Sequence, residues 1–193
     1  METRDRFITA ALRLFAEKGF YGASMDQIAR DLGLTKQALI HHFGTKEKLY
    51  GAVLTRISER LLEAIEGEHR AFPDVLAEIY AHTLAHSEET QLLMRELLDN
   101  RRRADQAGAW YLRPFLDGLR AALKRSPAWA DATTAQASAH VYQLLGAITY
   151  FAVSVPTLSN MYSRDHVETM KAAFPARLRR LAEAGPNGHN DEG

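Results

Sequence analysis

Three groups of residues could carry chemistry by type and spacing. His41 and His42 are adjacent in "LTKQALIHHFGTKEKL" (residues 34–49), between a glycine turn and a second threonine-initiated run. His82 and His86 stand four apart in "HTLAH", with Glu89 a turn further on. Arg101, Arg102 and Arg103 follow one another. A histidine pair can ligate a metal, move a proton or face a docked polyanion. Neighbours on an α-helix diverge by about 100°, so His41 and His42 cannot easily share one ion. His82 and His86 do share a helix face, yet a metal site needs a third ligand and none is identifiable. Ordinary surface or pocket histidines are therefore favoured there, with neither a metal nor another cofactor expected. The arginines suit an anionic effector or a partner's carboxylates, and more simply a solvated helix end.

Composition excludes further classes. The 193 residues suffice for one large domain or two small ones. With no cysteine, disulfides, thiolate metal sites, iron–sulfur clusters and cysteine nucleophiles are ruled out. Lys plus Arg and Asp plus Glu are both 24, so any nucleic-acid surface must be a local patch. The opening "METRDRFITAALRLF" lacks the pattern of a secretory signal. The most apolar run, residues 144–155, is shorter than a bilayer span and is bounded by Gln143 and Pro156. A cytoplasmic protein with no membrane partner is expected. No nucleophile motif, paired Glu-x-x-His ligands or glycine-rich phosphate loop supports an enzyme.

Apolar residues recur at helical spacing nearly throughout, so the fold class is all-α. A first helix is expected over about 3–18, stopped by Gly19. "SMDQ" opens a second, with Ser24 and Gln27 placed for a reciprocal capping box. Gly33 ends it, and Thr35 is placed to cap a third helix from Lys36 to Phe43. Two helices joined by a tight glycine turn form a helix-turn-helix. A long fourth helix should run from Lys46 into the Glu66 region. Pro73 fits the first turn of another, periodic to about Asn100 with a break near Ser87. Further helices are expected at about 107–125, 132–155 and 164–184, and "AGPNGHNDEG" reads as a tail with nothing to bury.

On the third helix, setting Leu39 and Phe43 inward turns Gln37 and His41 outward, flanked by Ala38 and Ile40, with Lys36 and His42 at the edges. Such a face suits a DNA major groove, with an amide and an imidazole for base edges and cationic or polar rims for phosphates. The helix starts at Ser24, Thr35 and Lys46 add exposed amides that favour phosphate. Residues 7–50, and "FAEKGFYGASMDQIARDLGLTKQALIHHFGTKEKL" in particular, closely resemble the amino-terminal DNA-binding domain of the TetR family of bacterial transcriptional regulators. Helix spacing, Gly33, Thr35, Lys36, Leu39, Phe43, Lys46 and Leu49 agree together. The resemblance implies a homodimeric repressor whose larger carboxy-terminal helical domain binds a small effector and dimerises. The expected division is 1–50 for DNA binding, 51–185 for effector binding and dimerisation, and 186–193 as a mobile tail. It implies duplex operator DNA as partner, met by Ser24, Thr35, Lys36, Gln37, Ala38, His41, His42 and Lys46. The family commonly carries tyrosines where this chain has Ile40 and His42. Those tyrosines commonly contact the DNA backbone, which supports His42 as a phosphate contact. Ile40 either touches a thymine methyl or packs.

In the remainder, Met94, Trp110, Phe115 and Tyr142 are candidates for the wall of a pocket holding an apolar or amphipathic effector. The segment from Val141 to Val155 is apolar nearly all round, with Gly146 and Ala147 permitting close approach, and a second stripe follows in the last helix. Val141, Leu145, Ile148, Met170, Phe174 and Leu178 are the candidate dimer residues, on the family's pattern of a four-helix interface. Pro175 predicts a kink or restart there. The rival readings are a helical adaptor that uses its helix-turn-helix on protein, and a helical-bundle enzyme.

Overall fold

The computed structural model describes residues 2–65, 70–99 and 111–186. Trp110 and the three arginines at 101–103 lie outside them, as does the tail beyond Pro186. The described chain is all-helical: α1 (Thr3–Gly22), α2 (Met25–Asp31), α3 (Lys36–Phe43), α4 (Lys46–Glu63), α5 (Phe72–Ala85), α6 (Ser87–Asp99), α7 (Arg113–Lys124), a single 3₁₀ turn (Pro127–Trp129), α8 (Thr134–Met161) and α9 (Arg164–Glu183). They form two compact units that are not consecutive in sequence. One takes Met1–Arg60 and Glu88–Arg113, the other Leu61–Ser87 and Pro114–Gly193.

In the first unit, Gly19 adopts φ 70° and ψ 175° and breaks α1, after which one more turn runs to Gly22. Ser24 Oγ accepts from the Gln27 amide at 3.1 Å. The reciprocal half of the expected capping box is replaced, because Gln27 Oε1 accepts from Lys18 Nζ at 3.2 Å. Phe7, Ile8, Ala11, Phe15, Ile28, Leu39 and Leu49 are buried together with Phe43 and Tyr50. Helix α6 belongs to this unit through polar contacts as well as the buried Leu92. The Tyr50 hydroxyl donates to Glu96 at 2.6 Å, Arg60 pairs with the buried Glu89, and Arg95 donates to the Glu17 carbonyl at 3.0 Å.

In the second unit, α9 packs on α5 and α8, which also touch each other. A full capping box forms at Thr133 and Gln136. Two sequence expectations change here. Helix α8 does not stop at Pro156 but continues through it to Met161, which makes it long and apolar enough to cross a membrane by length and composition alone. A helix belonging to a folded core passes the same test. Helix α9 likewise runs through Pro175 without a restart.

The reason is visible at the carbonyl that Pro175 leaves without its helical partner. Proline has no N–H, so the Lys171 carbonyl loses its i+4 donor. The Tyr80 hydroxyl of α5 donates to it instead, at 3.1 Å. Stacked rings hold that tyrosine in place, with Phe174 at 5.2 Å and Phe151 at 4.6 Å from Phe174. Burial, with Glu168 adding, pushes the Tyr80 hydroxyl above its ordinary pKa, so it remains a donor. Tyr80→Phe should therefore cost about 1–2 kcal/mol. In a Pro175→Ala background, where the helix supplies its own donor, the same change should cost less. Urea unfolding of the four proteins measures this, and equal costs in both backgrounds would refute the pairing.

Trp129 fastens the far end of α9. Its Nε1 donates to the Ala184 carbonyl at 2.8 Å, and His140 stacks on the indole at 4.4 Å. Burial pulls the His140 pKa down, opposed by its hydrogen bond to the Leu181 backbone.

Candidate nucleic-acid interface

Helix α3 is set by two glycines and one hydroxyl. Gly33 (φ 66°) and Gly44 (φ 75°) take left-handed turns on either side of it. Thr35 Oγ1 accepts from the Ala38 amide at 3.2 Å and fixes the first turn. Leu39 and Phe43 are buried, which fixes the rotation of the helix. Gln37, Ile40 and His41 are exposed, His42 and Lys36 lie exposed beside them, and Ala38 is half-buried. The outward face expected from helical geometry is thus present on this helix.

The rims differ from expectation. Lys36 Nζ lies 2.8 Å from Asp26 Oδ2, an ion pair across the turn between α2 and α3. The hydrogen bond from Lys36 leads the causes that hold the Asp26 carboxyl below the ordinary range. Lys46 turns inward. Its Nζ donates to the Ala23 carbonyl at 2.8 Å and sits 4.5 Å from the centre of the Phe20 ring. That ammonium ties the start of α4 to the residue before Ser24, a structural use that an unaccompanied reading of "TKEK" does not reveal. The His42 ring, 5.6 Å from that of Phe7, is braced against α1.

Residues absent from the sequence prediction stand beside this face. Arg4 lies over the Phe43 ring at 5.3 Å. Thr45 Oγ1 accepts from the Lys48 amide at 3.3 Å and caps α4. Lys48 is exposed, with no ion pair among the described residues. The signal for Lys48 was its place three residues after a capping threonine. Arg4 gave none, since only the fold brings the beginning of α1 to the end of α3.

Residues 7–53 match the model of the bacterial regulatory proteins of the tetR family. Over 80 residues the chain is 40% identical to the HTH-type transcriptional regulator UidR of Escherichia coli strain K12, covering 39% of this chain. Residues 7–53 are thus similar to the DNA-binding region of the tetR family. The chain spans 40% of the length of that curated relative. The likeness in fold extends further. A transcriptional regulator, SCO4942, from Streptomyces coelicolor superimposes with a TM-score of 0.67 at 25% identity, over 94% of this chain and 97% of that one. The regulator FadR from Bacillus subtilis, solved in complex with stearoyl-CoA, gives a TM-score of 0.66 at 17% identity over 94% and 98% of the two chains.

The remaining candidates fall into different places. Met94 is half-buried on α6 in the first unit, whereas Phe115 is buried on α7 in the second. Tyr142 is 56% exposed on α8. Of the candidate dimer residues, Val141, Ile148 and Leu178 are 2%, 0% and 2% exposed, so this chain already buries them in its own core. Any self-association surface would therefore draw on other side chains of these helices. Leu145, Met170 and Phe174 are half-buried, and Phe174 belongs to the ring stack with Tyr80. Helix α8 instead leaves Tyr142, Gly146 and Tyr150 outside, at successive steps of four, and α9 leaves out Ala172, Ala173 and Ala176.

Proposed function

We propose that this chain is a cytoplasmic, homodimeric, DNA-binding transcriptional repressor of the TetR family that leaves a pseudo-palindromic operator when a small apolar or amphipathic effector binds. The observation that carries this is the outward face of α3, where Gln37, Ile40 and His41 are exposed above a buried Leu39 and Phe43. Two copies of α3, one from each protomer, would read half-sites about one helical turn of DNA apart. Gln37 and His41 are the base readers. The helix starts at Ser24, Thr35 and Lys46, with Ala38, His42 and Lys48 around them, meet the backbone. Lys36 contributes to the extent that phosphate displaces Asp26.

In this reading residues 1–50 bind DNA, and 51–185 bind effector and dimerise. The small and aromatic faces of α8 and α9 supply the self-association surface. An acyl thioester like that bound by FadR, with its apolar chain, exemplifies the effector class. The effector acts by preferring the arrangement that does not hold DNA. Helix α4 is the segment that passes from one unit to the other, and it transmits the preference.

Selection of bound sequences from random duplex DNA, followed by titration of the winner, tests the reading. Gln37→Ala should lower preference for the selected site over random duplex by about tenfold, within the usual 1–3 kcal/mol for one base contact. Affinity should fall steeply with rising salt. Salt-insensitive binding to a protein, with none to DNA, would establish the adaptor reading instead.

A further inference from the structure

Ile40 is the one large aliphatic side chain on the outward face of α3, and it is 43% exposed. The fold does not use it as a core residue. Leu39 beside it and Phe43 one turn on are buried and already fix the helix against α1. A lone exposed isoleucine on an arbitrary surface means little. Here its neighbours on the helix surface are Gln37, one turn back, and His41, the next residue, both polar and exposed, so it is an apolar point beside a hydrogen-bonding surface. On a helix it stands about 60° from Gln37 and about 100° from His41, inside the arc that enters a groove when those two read bases.

Its chemistry limits what it can meet there. Isoleucine neither donates nor accepts, so it makes no hydrogen bond with a phosphate or a base edge. In the major groove, the 5-methyl of thymine is the apolar group that base pairs present. Burying Ile40 against a phosphate would strip water from the anion without compensation. Burying it against a methyl removes apolar surface from water on both partners.

Resting on the proposed operator binding, we infer that Ile40 is a specificity residue that selects a thymine in each half-site through its 5-methyl group. Thymine is preferred there over cytosine and over its own demethylated form. The contact is apolar, so it contributes to sequence preference and not to the salt dependence of binding.

The test replaces each thymine of the selected operator half-site, one at a time, with deoxyuridine, which lacks only the methyl. With the wild-type protein one such position should lose about fourfold in affinity, the equivalent of one methyl removed from an apolar contact. With Ile40→Ala the same substitution should cost nothing, and Ile40→Val should give an intermediate loss. The slope of affinity against salt should be the same for all three proteins. Indifference of the wild type to deoxyuridine at every position overturns the inference while leaving operator binding intact. So does an Ile40→Ala protein as sensitive as the wild type. Failure of the wild type to select any duplex sequence overturns the proposed function first, and this inference with it.

Discussion

Replacing Gly146 with arginine should leave the chain folded and weaken its self-association by at least about a hundredfold. A side chain built at Gly146 meets nothing within 4 Å, so the chain itself has room for one. Within a helix the change from glycine also removes a propensity cost of about 1 kcal/mol. In the proposed interface a second copy would occupy that room. Gly146 lies between Tyr142 and Tyr150, 56% and 71% exposed, at the centre of the outer face of α8. Two copies of that face would approach most closely at the residue without a side chain. A guanidinium on each of them would hold the backbones apart and place like charges in a drying interface. A hundredfold is about 2.7 kcal/mol, the scale expected of a central interface position. Sedimentation velocity gives the association and a thermal melt by circular dichroism gives the fold. A variant that stays dimeric at micromolar concentration would show that subunits meet elsewhere.

Phe7→Ala should destabilise the first unit by about 3–5 kcal/mol, the range for a buried phenylalanine cut back to a methyl. Phe7 is fully buried on α1. Its ring stands 6.3 Å from Phe43, edge to face, and 5.6 Å from His42. It therefore supports the last turn of α3 from below. Phe7→Leu fills most of the space and should cost less than half as much. Denaturant unfolding measures both. The loss should also reach DNA binding at temperatures where the variant remains folded, because His42, a backbone contact in the proposed function, loses the ring beside it. A cost below about 1 kcal/mol for the alanine variant would mean that α3 is positioned by other contacts.

The local signals of the first unit were readable because each depends on residues a few positions apart. Thr35 caps, Gly33 and Gly44 turn, and Leu39 with Phe43 sets the rotation of α3, so its bounds and its outward residues follow from covalent geometry. The destination of a long cationic side chain does not. Lys36 and Lys46 appear free in sequence, whereas Asp26 and the Ala23 carbonyl engage them in the fold. Periodicity in α8 showed apolar residues on nearly every side, but it could not say which side the chain covers by itself. Val141 and Ile148 went inward, and Tyr142 with Gly146 stayed outside. Pro175 looked like a break because its missing donor is local, while the Tyr80 hydroxyl that serves the freed carbonyl comes from 91 residues away.

The pair between Lys36 and Asp26 bears on how such a protein would find its site. A free lysine at the edge of the reading helix would grip any stretch of duplex through its phosphates and lengthen every wrong encounter. With the ammonium 2.8 Å from a carboxylate and both side chains about half exposed, gripping a phosphate would first give up an ion pair worth at most about 1 kcal/mol. In the proposed role the pair would loosen the grip on every duplex alike by that small amount, so that discrimination would rest on Gln37, Ile40 and His41.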